Sequence, residues 1–463
     1  MFLGIFRVRR KKHLVVAGLL CIILFLLYEI QQLSYIDNQQ KLETPLHKEK
    51  HNVAESNAVK NNEQDVMQNM LSELEKDNDN FNDNFDSINS EDISWELIEK
   101  FKIDYDDHFQ PIVSPWDVSK SWVNSREIFP DVVPELGMVL KSMANEPVIY
   151  ADIAPRGTQL KLLLVLKGGQ KVLFKPKWFE RDQVIEGPPY AGQDRHNGEI
   201  AAFHLSRILG FRRTPLTVGR YLNLQTEVIP VASSRLLDTF FNKDNNTCFY
   251  GKCYYCKGKE SGVCAQKTTL EGTIVLWISH KMQLYRHPWG RTYIDNKLAK
   301  WETDSKFCDK VLQTDMYKLG IRLLDIIDTS VFDYIIGNAD RHHYETFHEF
   351  PDSMVIMLDN GKSFGNPYHD EYSILAPLYQ CCKIRQSTYD QLKMLKNGIL
   401  SKVLEAVLLF DPISPILNKF HLRAIDRRLH QLLTTIDNCV KEQGMPNVII
   451  SEEKLIPEKH VET

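Results

Sequence analysis

Apolar and polar positions divide the chain into stretches with different periods. Leu14 to Ile30 is an almost unbroken apolar run of 17 residues; as a helix it would extend about 25 Å, near the lower limit for crossing a bilayer. Residues 31–110 are rich in Asn, Asp, Glu, Gln and Lys. The segment Asp77-Asn78-Asp79-Asn80-Phe81-Asn82-Asp83-Asn84 has few core formers, which predicts a disordered stem. Regular apolar positions return at Pro111, so a folded body is expected over 111–445 and a tail over 446–463. Trp116 and Trp122, then Leu136, Val139, Leu140 and Met143, give an amphipathic helical entry. Leu160–Leu166 and Lys171–Lys175, joined at Gly168-Gly169, read as a hairpin. Residues 197–209 put Ile200, Phe203 and Ile208 on one helical face, with Gly210 as the stop. Thr273–Ile278 and Ser353–Leu358 are strand candidates, and the chain from Gly320 onward is otherwise mostly helical by period. The expected class is α+β, a small mixed lobe followed by a mainly helical one. No internal repeat is present.

Charge changes this picture only at the N-terminus. A formal net charge of −5 and a pI near 6.3 give no support for nucleic-acid binding, and no such motif is present. Arg7, Arg9, Arg10, Lys11 and Lys12 precede the apolar run, which predicts a cytoplasmic tail at 1–13, a signal-anchor at 14–30 and a lumenal body. A cleaved signal peptide is the rival reading, but no small-x-small site follows the apolar core. Cys21 lies in the apolar run; Cys248, Cys253, Cys256, Cys264, Cys308, Cys381, Cys382 and Cys439 lie beyond it. An even count in an oxidising lumen suits four disulfides, with the pairing open. Cys248, Cys253, Cys256 and Cys264 would also suit a four-thiolate zinc site. Asn245-Asn246-Thr247 is a glycosylation acceptor in a polar loop beside that cluster.

Candidate chemistry concentrates in Asn338-Ala339-Asp340-Arg341-His342-His343-Tyr344-Glu345 and in Leu358-Asp359-Asn360-Gly361. Each alone is an ordinary cap or turn sequence. Together they place one carboxylate, Asp340, to accept a hydroxyl proton and another, Asp359, at a strand end to hold a metal on nucleotide phosphates. Lys175, among alternating apolar residues, is the best phosphate-side cation, although a lone strand lysine is usually just exposed. Asp194, Glu199 and Glu345 are further carboxylates able to approach it or a metal, against the ordinary readings of helix cap and solvated helix face. Such hard oxygen ligands suit Mg2+ or Mn2+. His342 and His343 read as scaffolding, and Arg341 as the partner of a carboxylate in the core. Asp104-Tyr105-Asp106 resembles a glycosyltransferase metal motif, but no apolar strand precedes it. G-x-x-x-x-G-K-S/T and G-x-G-x-x-G phosphate loops, the H-R-D and D-F-G pair of ordinary protein kinases and the G-x-S-x-G elbow are all absent.

The run Asn338–Glu345, Arg195-His196-Asn197, Cys248-Phe249-Tyr250-Gly251-Lys252-Cys253-Tyr254-Tyr255-Cys256 and Leu375-Ala376-Pro377-Leu378-Tyr379-Gln380-Cys381-Cys382 resemble the secretory-pathway kinase family that includes the Golgi casein kinase. The resemblance spans about Ser114 to Gly444. It implies a two-lobed, atypical protein-kinase-like fold using ATP and Mn2+, with Mg2+ as the alternative ion. Asp340 would match the catalytic aspartate, Asp359 and Asp194 the metal site, and Lys175 the phosphate-binding lysine. Gln159 would face the phosphates, Glu345 the nucleotide, and Val275, Leu276, Trp277 and Ile278 the adenine edge. It also implies disulfides Cys248–Cys264, Cys253–Cys256, Cys308–Cys381 and Cys382–Cys439. Asp at 194 resembles the branch that phosphorylates the 2-hydroxyl of xylose in the proteoglycan linkage region. A single-pass type II Golgi membrane protein promoting glycosaminoglycan chain growth is therefore expected, acting on the linkage glycan of proteoglycan core proteins. The alternatives are a lumenal protein Ser/Thr kinase and a catalytically silent scaffold for a partner kinase. Gly198 stands where relatives are expected to carry Ala.

Overall fold

The computed structural model describes residues 87–103, 114–155, 157–294, 297–318, 320–350 and 352–451. The fold below is that of the described residues of the unit Leu74–Arg291 with Leu298–Thr463. Among the described residues no helix is long and apolar enough to cross a membrane. The expected anchor at 14–30, its cytoplasmic flank and the Asp104-Tyr105-Asp106 motif lie outside them.

The smaller lobe is built on β1 (Val148–Ile153), β2 (Leu162–Leu166), β3 (Lys171–Pro176), β4 (Thr217–Asn223), β5 (Phe240–Lys243), β6 (Asn246–Phe249), β7 (Val263–Cys264) and β8 (Thr269–Leu276). Five of these form one sheet in the order β1-β2-β3-β8-β4, antiparallel throughout; β5, β6 and β7 form a second, smaller sheet. The β2–β3 hairpin follows from its pattern. Leu162, Leu164, Leu166, Val172 and Phe174 are buried on one face, and Gly168 and Gly169 make the turn at positive φ, where a Cβ is disfavoured. Among the helices packed on this lobe are α1 (Leu136–Asn145) and α2 (His196–Ile208). Every residue of α2 is buried, and Gly210, at φ 74°, ends its exit.

The larger lobe contains α3 (Ile321–Ile336), α4 (Ala376–Cys381), α5 (Ile399–Leu408) and α6 (Lys419–Gln443), with the ribbon β9 (Met282–Arg286) and β10 (His343–Phe347) at its mouth. Helix α3 ends at Gly337 in the left-handed conformation, which turns the chain into the Asn338–Glu345 run. Its fully buried Asp325 and Asp328 are matched by Arg126, Arg213 and Arg385: Arg126 Nη2 to Asp325 Oδ1 at 2.6 Å, Arg213 Nη2 to Asp328 Oδ2 at 3.0 Å and Arg385 Nη2 to Asp325 Oδ1 at 2.7 Å. These charges are buried because they are paired. All four disulfides have the pairing that the resemblance implies. Cys382 adopts a left-handed conformation after α4, and the adjacent thiols bond to different partners, Cys308 and Cys439.

Four expectations need correction. The folded body begins before Pro111: residues 87–101 are helical, inside the expected stem, and Leu97 and Phe101 are buried in the core of the larger lobe, near α5. Two apolar residues one helical turn apart are enough to dock this polar-looking segment. At the other end Ile449–Ile450 pairs in parallel with Ile384–Arg385, so the fold extends past 445. The strand expected at 273–278 spans Thr269–Leu276. Ser353–Leu358 forms no strand beyond a single bridge between Ile356 and Glu345. Its amides bond to three separate segments instead, Met354 to the Ser125 carbonyl, Ile356 to Glu345 and Met357 to Arg213.

Candidate active site

The cleft between the lobes is organised by one cation. Lys175 sits near the end of β3, paired to Thr273 of β8, and its buried ammonium reaches three carboxylates. Nζ donates to Glu199 Oε1 at 2.5 Å, Asp359 Oδ1 at 2.9 Å and Asp194 Oδ2 at 3.4 Å. Glu199 lies in the first turn of α2 and is as buried as Lys175; Asp194 immediately precedes that helix. Burial alone would lower the pKa of Lys175, but Asp359, Glu199 and Asp194 outweigh it and raise the value well above the ordinary lysine range. Asp359 lines the cleft with its carboxylate open to solvent. Lys175 and then Lys161 hold its pKa well below the ordinary carboxylate range. Lys161 Nζ, from the residue before β2, lies 4.0 Å from Asp359 Oδ1.

Two buried arginines fix the loop carrying Asp359. Arg341 pairs with Asp333 of α3 (Nε to Oδ2, 2.6 Å) and also donates to the Leu358 carbonyl at 2.6 Å and Asn360 Oδ1 at 2.8 Å. The core pairing expected of Arg341 is therefore present, and the same guanidinium grips both neighbours of Asp359. Arg195 donates through Nε to the Ser363 carbonyl at 2.5 Å and through Nη2 to Lys362 O, while its own amide bonds to Gly361 O at 2.7 Å. Burial draws the Arg195 pKa down to about 10. Asp359 itself is held at φ 51°, in the left-handed region. Asp340 is turned by its amide, which donates to Asn338 Oδ1 at 3.1 Å.

Asp340, Asp194 and Asp359 line one polar cavity of about 210 Å3, with Gln159, Lys161, Glu345 and Lys362. Burial, then the charge of Asp359, raises the Glu345 pKa. Gln159 is buried there with Oε1 lacking a protein hydrogen-bond partner, which fits a side chain turned towards a ligand. His342 and His343 also line this cavity, and the scaffolding role expected of them is visible: the ring of His342 bonds to the Asp340 carbonyl at 2.8 Å and packs edge-on against His343. Behind Lys175 lies a second, mainly apolar cavity of about 150 Å3, lined by Leu173, Val275, Trp277 and Leu358 among others. Val275–Ile278 therefore does not act as a unit. Val275 and Trp277 face this cavity, whereas Leu276 and Ile278 belong to the core of the small lobe.

The donor set fits a divalent cation carried with a nucleotide. Among the described residues no three ligating groups already converge as a metal cluster. Asp194 and Asp359 are nevertheless held within reach of the same ammonium, and a hard ion bound by one or two carboxylates completes its shell with phosphates and water. Asp194, Glu199, Asp340, Glu345 and Asp359 outnumber Lys161, Lys175 and Lys362 by two around the cleft. Arg341 is matched separately by Asp333.

The family described as Golgi casein kinase, C-terminal, Fam20 matches residues 114–448. Human glycosaminoglycan xylosylkinase is 56% identical over 342 residues, covering 73% of this chain and 83% of that protein. The chain belongs to the Fam20 family. Among solved structures, hydra Fam20 with sugar is 48% identical, with a TM-score of 0.72 over 74% of this chain and 99% of that one. The Golgi casein kinase with Mn/ADP bound is 31% identical, with a TM-score of 0.71 over 88% and 96% respectively. Within this Fam20 site, the sequence reading overlooked Lys161 and Lys362 and treated Arg195 only as part of a motif. Position was the available signal: Lys161 immediately precedes an apolar strand, and Lys362 follows Asp359 by three residues.

Proposed function

We propose that this protein is an ATP- and Mn2+-dependent glycan kinase that transfers the γ-phosphate to the 2-hydroxyl of xylose in the glycosaminoglycan–protein linkage region, promoting chain growth. The reading rests on one observation above the others: Lys175 gathers Asp194, Glu199 and Asp359 beside a cavity that also contains Asp340. That arrangement stands in a chain 56% identical to human glycosaminoglycan xylosylkinase.

In this mechanism Asp340 receives the proton of the attacking hydroxyl and orients its oxygen. Lys175, held by Glu199, and Lys161 place positive charge beside the non-transferred phosphates. Gln159 faces the phosphates, and Glu345 faces the nucleotide. Asp194 and Asp359 would hold Mn2+, which would supply charge neutralisation on the phosphates. Val275 and Trp277 provide apolar walls for the base. The wall of the site is otherwise rigid, since Arg341 and Arg195 fix the Asp359 loop at both ends.

The same reading places the catalytic body in the Golgi lumen behind a type II anchor at 14–30. Four disulfides support an oxidising compartment. Asn245, exposed at the tip of the β5–β6 hairpin at φ 62°, is its glycosylation site. A protein Ser/Thr kinase is the rival, favoured by the 31% identity to the Golgi casein kinase. The test offers purified full-length protein ATP and Mn2+ with a galactosyl-xyloside and casein in parallel. Phosphate on the xyloside alone is expected; phosphate on casein alone would overturn the assignment.

A further inference from the structure

The three lysines of the cleft have different surroundings. Lys175 directs its ammonium to three carboxylates. Lys161 approaches Asp359 from the β2 side. Lys362 stands in the loop after Asp359, and its ammonium donates to the Gly192 carbonyl, two residues before Asp194. Among the described residues it enters no salt bridge, so a neutral carbonyl steadies it while its charge remains available to the cavity. It lines the same cavity of about 210 Å3 as Asp340 and Asp194. Burial lowers its pKa, and Asp194 and Asp340 act in the opposite direction. Lys362 thus lies within the electrostatic reach of both the metal-side carboxylate and the acceptor-side carboxylate.

We propose that Lys362 is a catalytic residue that binds the phosphoryl group in transit between the nucleotide and the acceptor oxygen at Asp340. The proposal rests on the phosphoryl-transfer reading above. In the step, the bond from the γ-phosphorus to the oxygen of the departing nucleoside diphosphate breaks as the bond to the acceptor oxygen forms. The acceptor proton passes to Asp340. Lys362 stays protonated throughout and interacts with the equatorial oxygens of the moving group, where charge is spread in the transition state. Its tether to Gly192 connects the loops that carry Asp194 and Asp359, so the charge is positioned before substrate arrives.

Lys362→Ala and Lys362→Gln in the full-length protein separate this role from ground-state binding. With saturating galactosyl-xyloside and Mn2+, kcat should fall by about 10²-fold, the scale of losing one preorganised electrostatic contact. The KM for ATP and the Kd for Mn·ADP should stay within about twofold, because Lys175 and Lys161 serve the non-transferred phosphates. Lys362→Arg should recover part of kcat, and added methylammonium should partly rescue Lys362→Ala without changing Mn·ADP affinity. Melting temperature selects the neutral variant that retains the fold. A kcat within twofold of the parent in that variant overturns the proposal, as does a parallel loss of Mn·ADP affinity. Failure of the parent protein to phosphorylate the xyloside would instead refute the underlying functional reading.

Discussion

At the scale of single residues, Lys175 and Asp340 stand in contrasting environments. Lys175 is buried among carboxylates, with Glu199 equally buried beside it. Removing one member of a buried ion pair costs about 3–5 kcal/mol because the remaining charge is stranded. The Asp340 side chain is 29% exposed at the cavity, so changing it leaves less buried charge behind. Lys175→Met should therefore lose both transfer activity and several degrees of melting temperature, whereas Asp340→Asn should lose activity with nearly unchanged stability and Mn·ADP binding. Thermal melts combined with calorimetric titration of Mn·ADP check the contrast. Equal destabilisation by the two substitutions would show that the buried cluster around Lys175 is not what holds the cleft together.

At the scale of elements, α2 and the Asp359 loop approach too closely for an ordinary side chain between them. A Cβ on Gly198 would stand 2.7 Å from Ser363 Oγ and 3.2 Å from the Asn360 carbonyl. The helix-propensity cost of Gly is about 1 kcal/mol and smaller near a helix start, so the contact is the larger consideration. Gly198→Ala is expected to displace the loop and lower kcat several-fold, and Ser363→Ala in the same chain should restore most of it. A Gly198→Ala enzyme with parental kcat and parental melting temperature would show that Ser363 yields at no cost. This contact also marks where sequence reading stops. The β2–β3 hairpin, α2 and α3 were legible because each has a local signal: period two with a Gly-Gly turn, or period 3.6 closed by Gly. The Asp359 loop was legible as residues but not as geometry, because its conformation depends on Arg341 and Arg195, distant in the chain. Ser353–Leu358 was misread for the same reason. Its amides are satisfied by three unrelated segments, a fact with no periodic trace. The helix at 87–101 was hidden by the polar composition around Leu97 and Phe101.

At the scale of the whole molecule, the lobes are joined at a second place, away from the reacting groups. The loop after α5 brings Asp411 onto β4, where its carboxylate accepts from the Gly219 amide at 3.0 Å and from Ile413 N at 3.0 Å. A Cβ at Gly219 would collide with Ile413 and Asp411, so a glycine is needed for this approach. Arg181 extends the clasp by donating to the Ile413 carbonyl at 2.9 Å and to Glu271 Oε1 at 2.6 Å. Burial is the largest influence on Asp411 and pushes its pKa from 3.8 up to about 6, against the two amide hydrogen bonds. The folded protein therefore holds this proton more tightly than the unfolded chain does. The resulting stability is fully present below about pH 4 and is lost as pH rises through about 6, by an amount on the order of 2–3 kcal/mol. Asp411→Asn removes the titration while keeping one carbonyl acceptor; its amide nitrogen faces a backbone donor, a penalty that does not vary with pH. Relative to the parent, the variant should therefore gain stability between pH 4.5 and pH 7.5. Denaturant midpoints of both proteins at the two pH values measure that difference, and a difference independent of pH would mean that Asp411 is ionised in the clasp at both.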